Sequence, residues 1–367
     1  MSDRPASEPA AAWPARWGGL PAIILALALG TVGGAIFFYW RLPLAWMMGA
    51  MVVTTVAALV GVPMKAPMRL RSLMVAVLGV MLGSAFTPET LSQAAKWTVS
   101  LGGVLLYSAL VAGVIFLALR RRPGFGPVTA YFSGTPGGLS EMILFGGSFG
   151  GDERTISLIH SMRILIVVMV IPFWFRFAHG YEPSGTTVLG SVADIGLVDA
   201  LILAACCVGG YIAARRLNIP AAALSGPMIA SAAVHVGGAT AAVPPSELVA
   251  IAQVVMGTTI GCRFAGHSVR KVFATLGTGV VTTVFMLAAG LAFAIALERL
   301  TGLPFPALLL AFSPGGLAEM GLICLSMGID IAFVSTHHLI RIFFIVVLAP
   351  FIFRAFKDSL TADVDQR

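Results

Sequence analysis

The sequence predicts an all-α polytopic membrane protein made from a tandem duplication, and three observations carry that prediction. Of the 367 residues, 58% are hydrophobic and only 11% charged, less than half the roughly 25% charged content of a soluble domain. The apolar residues fall in runs close to the roughly 20 that cross a bilayer as a helix. The second half of the chain repeats the first at a nearly constant offset.

Taken in order, residues 1–18 are Ala/Pro-rich and polar and read as a disordered tail. The run at 20–40 is longer than a signal-peptide core of about 7–15 residues and is taken as the first span. Further spans are expected at 43–61, 70–87, 97–119 and 154–178, closing a first repeat over 19–180. A second repeat over 195–355 carries spans at 197–213, 220–238, 247–264, 275–297 and 332–355, before a tail at 356–367. Two other apolar segments, 126–150 and 304–328, are each interrupted near the middle by Pro and paired Gly.

The repeat is explicit in rare residues. Gly-Thr-Pro-Gly-Gly-Leu-Ser-Glu-Met (Gly134–Met142) matches Phe-Ser-Pro-Gly-Gly-Leu-Ala-Glu-Met (Phe312–Met320) at an offset of 178. The same offset joins Asp152 to Asp330, His160 to His338, Arg163 to Arg341, Gly79 to Gly257 and Gly83 to Gly261. Nearer the start of each half the offset is 177, as from Pro43 to Pro220 and Gly49 to Gly226.

Loop charge orients the halves, because cytoplasmic loops are rich in Lys and Arg. In the first half the basic loops follow the second span (Lys65, Arg69, Arg71) and the fourth (Arg120 to Arg122). In the second half they follow the first span (Arg215, Arg216) and the third (Arg263, Arg270, Lys271). All these clusters fall on one side if the Pro-Gly-Gly segments turn back instead of crossing. The expected topology is therefore two inverted repeats, each with five transmembrane helices and one re-entrant Pro-Gly-Gly hairpin, with both termini cytoplasmic. The alternative is twelve spans in parallel repeats.

Paired broken helices at matching places of a repeat point to a transport site. Thr135 and Ser313 are read as N-caps, Pro136 and Pro314 as first helical residues, and Gly137, Gly138, Gly315 and Gly316 as openings where backbone N–H groups meet a ligand. Arg163 and Arg341 join these as candidate substrate contacts, and Glu141 and Glu319 as coupling-ion carriers. An ion pair of each Glu with an Arg is the natural partner for charges at this depth, and that pair serves either substrate or structure. His160 and His338, one helical turn before the arginines, and Asp152 and Asp330, at the mouths of the next spans, are supporting residues. The glycine pairs Gly79/Gly83 and Gly257/Gly261 read as close-packing faces.

Other readings are excluded or set aside. The net charge of +7 is dispersed among loops, with no compact basic module for nucleic acid. Cys206, Cys207, Cys262 and Cys324 lack metal or redox spacing. No metal or other cofactor is expected. The expected partners are the lipid bilayer, a small-molecule or ion substrate, and, as an open possibility, further copies of the chain.

The doubled Pro-Gly-Gly-Leu-x-Glu-Met segments, the His-x-x-Arg-Ile pairs at His160 and His338, and the Leu-Pro-x-x-Trp-Met-x-Gly stretch from Leu42 resemble the bacterial AbrB-duplication membrane protein family. The resemblance spans nearly the whole chain after the N-terminal tail. Members carry labels such as AbrB family transcriptional regulator or ammonia monooxygenase, and share only a name with the small soluble AbrB DNA-binding proteins. The family supplies no catalytic residues to carry over. The six scattered His do not make a copper oxygenase, and no enzyme is expected. The function expected from the residues is a secondary transporter or exporter of a small anionic solute in the bacterial inner membrane. The alternatives are a membrane-embedded regulator of gene expression acting through a partner and, third, a membrane enzyme.

Overall fold

The computed structural model describes residues 19–180, 195–267 and 269–361. The tail expected at 1–18, and residues 362–367 of the C-terminal one, lie outside the described residues. Among those described, regular structure is helical throughout. The first repeat comprises α1 (Leu20–Tyr39), α2 (Ala45–Leu59), α3 (Met68–Gly83), the short α4 (Pro88–Gln93), α5 (Thr98–Arg120), α6 (Pro127–Gly134), α7 (Leu139–Ser148) and α8 (Glu153–His179). The second comprises α9 (Leu197–Arg216), α10 (Ala222–Val236), α11 (Ser246–Cys262), α12 (Val269–Thr301), α13 (Phe305–Phe312), α14 (Leu317–Met327) and α15 (Ile331–Thr361).

Six stretches are long and apolar enough to cross a bilayer: Leu20–Tyr39, Pro88–Arg120, Glu153–Ala178, Leu197–Arg216, Val272–Thr301 and Ile331–Ala355. Their outer faces expose residues such as Phe38, Phe177, Leu197, Leu300 and Phe351, while Arg163 and Arg341 are buried. Apolar outside with charge inside is the arrangement of a chain solvated by lipid, and the molecule is a polytopic membrane protein.

The duplication extends to the backbone. Arg41 and Leu44 take left-handed φ of 51° and 46° before α2. Asn218 and Ala221 repeat this with 54° and 51° before α10. Such angles cost a non-glycine residue roughly 1–2 kcal/mol, so their recurrence 177 residues apart marks one turn built twice. Contacts between the halves are also reciprocal. Gly79 and Gly83 of α3 press on the backbone of α10 at Leu224 and Met228, and Gly257 and Gly261 of α11 press on α2 at Met47 and Met51. In both cases the contact advances the same way along the two helices, so α3 lies parallel to α10 and α11 parallel to α2. Exchange of the same contact in both directions is the signature of a two-fold relation.

Candidate functional site

The interrupted segments form this site, and proline sets where each breaks. The proline ring excludes α-helical backbone at the residue before it, so Thr135 and Ser313 end α6 and α13 with ψ of 122° and 138°. They do not cap the helices that follow, as the sequence suggests. Their hydroxyls turn back and donate to the carbonyls of Tyr131 and Leu309, at 2.8 and 2.7 Å. Pro136 and Pro314 lie in the break, and extended Gly138 and Gly316 cap α7 and α14. Glu141 and Glu319 occupy the third position of those helices. Each folds back so that its Oε2 fills the place a β-carbon at Gly138 or Gly316 would take. A carboxylate there complements the positive end of the helix dipole.

The expected Glu–Arg ion pairs do not form among the described residues. Breaking a helix strips its last carbonyls of helical partners, and the arginines answer that need instead. Arg341, 1% exposed, donates from Nη1 to the Ser313 carbonyl and from Nη2 to that of Gly315, both at 2.7 Å. It also donates to His338 Nδ1 at 2.9 Å, while His338 Nε2 donates to the Leu310 carbonyl at 2.9 Å. In the first tip His160 Nε2 donates to the Phe132 carbonyl at 2.9 Å and Arg163 Nη2 to Gly137 at 3.1 Å. There the Gly137 N–H donates to the Thr135 carbonyl at 2.8 Å, the counterpart of the Ser313 carbonyl that accepts from Arg341. Arg163 Nε and Nη1 and His160 Nδ1 are left buried without partners among the described residues.

Asp152 and Asp330 open α8 and α15. Asp152 Oδ1 accepts from the backbone of Arg154 and Thr155, and Asp330 Oδ1 from that of Phe333. The Asp152 N–H donates to Thr129 Oγ1 at 3.0 Å, so the residues entering α6 and those leaving α7 meet. From there α8 climbs beside α6, reaching Phe132 with His160 and the tip with Arg163. α15 makes the same ladder beside α13 through His338 and Arg341.

Between the tips lies a cavity of about 510 Å³. Its wall takes Gly138 to Glu141 from one tip, Gly316 to Glu319 from the other, and Ile164 and Ile342, which follow the two arginines. Glu319 is 5% exposed and Glu141 half-buried. Thr135, Pro136, Gly137, Ser313, Pro314 and Gly315, with Arg163, Arg341, His160 and His338, back the tips and do not line the cavity.

A protein family described as Transition state regulatory protein AbrB matches residues 46–357, which include both tips, both arginines and the cavity wall. The chain belongs to the AbrB family. Its relatives include "Uncharacterized protein YhjN" of Bacillus subtilis, 30% identical over 89% of this chain and 91% of that one. Another is "Putative regulator AbrB" of Escherichia coli, 25% identical over 92% and 96%.

Three cavity residues of this AbrB-family chain escape a site reading of the sequence: Arg71 of α3, Arg215 of α9 and Arg263 after α11. They lie far apart in the chain, and each looks like an ordinary basic loop residue. Arg263 feels the charges of both Arg71 and Glu319. His337, whose repeat-related position holds Ile159, is also outside the sequence-based site. Buried, it places Nε2 2.8 Å from Ser100 Oγ and Nδ1 2.7 Å from the Phe333 carbonyl.

Proposed function

We propose that this protein is a secondary transporter or exporter of a small anionic solute, driven by H⁺ or Na⁺, in the bacterial inner membrane. The observation that carries this is the cavity walled by the N-terminal turns of α7 and α14, one from each repeat. Helix N-termini attract negative charge and here hold Glu141 and Glu319, the groups to carry a coupling ion, while Arg71, Arg215 and Arg263 make the cavity basic for an anionic solute.

The proposed topology is two inverted five-span repeats with re-entrant hairpins and both termini in the cytoplasm. Support for re-entry comes from the Thr129–Asp152 contact and from the length of α6, α7, α13 and α14. At 8 to 11 residues, each spans about 12–17 Å of a roughly 30 Å hydrocarbon core. Support for inversion comes from helix direction. Consecutive spans alternate, so α3 opposes α2; α11, the counterpart of α3, lies parallel to α2. With the basic loops cytoplasmic, the cavity opens toward the cytoplasm. No catalytic role is part of this reading.

A screen of the purified protein for thermal stabilisation by organic anions, amino acids and cations, followed by flux in proteoliposomes, tests it. A stabilising anion should accumulate when a proton or sodium gradient is imposed, and Glu319→Gln should uncouple that uptake from the gradient. Absence of gradient-driven flux for every stabilising solute would sink the proposal. The name of the Escherichia coli relative favours a second reading, regulation of gene expression through a partner protein. That reading predicts co-purification of a soluble partner and no flux.

A further inference from the structure

The cavity carries more information than its helix ends. Three guanidinium groups, of Arg71, Arg215 and Arg263, line it, and none of them has a hydrogen-bond or ion-pair partner among the described residues. The two carboxylates of the cavity, by contrast, are folded onto the starts of their own helices. The charge left in the cavity without a hydrogen-bond or ion-pair partner among the described residues is therefore positive. Exposure falls along the cavity from Arg215, exposed, through Arg71 and Arg263, half-buried, to buried Glu319.

Apart from Ser140 and Asn218, the remaining side chains of the wall are apolar, with Val75, Ile164, Leu224 and Ile342 among them. About 510 Å³ of space is in the range of organic-ligand pockets, which are mostly apolar with a few placed polar groups. An inorganic anion would leave that wall unused. The arginines are also one-sided. Val249 and Ala85 stand at the repeat-related positions of Arg71 and Arg263, and Phe38 at that of Arg215, so the other face of the molecule has no matching set.

We infer that the cavity selects an organic carboxylate with an apolar body, whose carboxylate is held by Arg71, Arg215 and Arg263 and whose body lies against the aliphatic wall toward the tips. This rests on the cavity being the solute site of the transport reading, and it adds the substrate class and the residues that recognise it. By formal charge, three guanidiniums against two carboxylates leave one positive charge, which suits a monocarboxylate. A guanidinium meets a carboxylate through two parallel hydrogen bonds, which lysine or glutamine cannot reproduce.

The test is calorimetric titration of the purified full-length protein with benzoate and octanoate, with inorganic phosphate and leucine as contrasts. Benzoate, octanoate or both should bind, and phosphate should not. Arg263→Gln and Arg71→Gln should each weaken binding about tenfold, the loss of one charge-assisted contact, and the exposed Arg215→Gln less. Arg263→Lys should retain more affinity than Arg263→Gln, and Arg299→Gln, remote from the cavity, should match the parent. Thermal unfolding without ligand separates a variant that misfolds from one that has lost its site. Failure of both carboxylates to bind, tighter binding of leucine or phosphate, or binding indifferent to the three arginines would overturn the inference. Arginine-dependent binding without proteoliposome flux supports the carboxylate site and counts against transport. Flux of a cation or neutral solute, unaffected by the Gln variants, does the reverse.

Discussion

Arg341 and Arg163 hold repeat-related positions yet meet different fates. Arg341 donates to two carbonyls and to His338, whereas Arg163 makes a single bond to Gly137. A hydrogen bond to a charged group contributes about 1.5–3 kcal/mol. Arg341→Ala should therefore cost roughly 3 kcal/mol more stability than Arg163→Ala. Reversible denaturation of the two full-length variants in the same detergent measures this, and equal losses would contradict the bonding pattern. The sequence showed both arginines as deep, paired charges, because a charge in an apolar span demands a partner. It did not show which partner. Carbonyls freed by a helix break leave no mark on side-chain identity, so a nearby glutamate looked the better candidate. The proline rule takes Thr135 and Ser313 out of helical backbone, which ends α6 and α13 but fits an N-cap before Pro equally well, so the rule alone did not show that Gly138 and Gly316 start the next helices.

At the scale of helices, glycine decides how closely the repeats approach. Gly257 lies on the backbone at Met47, where a β-carbon would collide with the Met47 carbonyl, while Gly113 of α5 faces open space. Gly257→Val should destabilise the protein by about 1–3 kcal/mol through overpacking. Gly113→Ala should stay within about 0.5 kcal/mol of the parent. Thermal unfolding of both variants checks this, and an equal response would show that the α2–α11 contact is loose. The spacing of these glycines was legible in the sequence; the helix each would meet was not, since four-residue spacing names a face and no partner. The two tips also differ in cover. α14 is buried from Leu317 to Leu325, with Gly321 against Leu82 of α3, whereas α7 buries only Met142 and Gly146 and leaves Leu144 exposed. One tip is packed into the scaffold and the other lies partly exposed on it.

For the molecule as a whole, the duplication was readable because matched prolines, glycines and charges survive at one offset, and the all-helical membrane fold followed from runs of apolar residues. The cavity was not readable, because Arg71, Arg215 and Arg263 come together only where α3 packs against α9 and α11. Topology is where loop charge and helix geometry can be tested together. Two inverted repeats with re-entrant hairpins place the end of α7 in the cytoplasm and the start of α15 outside, whereas twelve spans in parallel repeats place both outside. Single cysteines at exposed Ser148 and Asp330, introduced after replacing the four native cysteines, distinguish these. Asp330 caps α15 through the Phe333 N–H, so its loss should cost about 1 kcal/mol and leave the fold intact. A membrane-impermeant maleimide added to intact cells should label the cysteine at 330 and spare that at 148, which should react only after permeabilisation. Labelling of both from outside would refute inversion and move the basic loops after α9 and α11 to the outer face, against the charge rule that orients membrane helices.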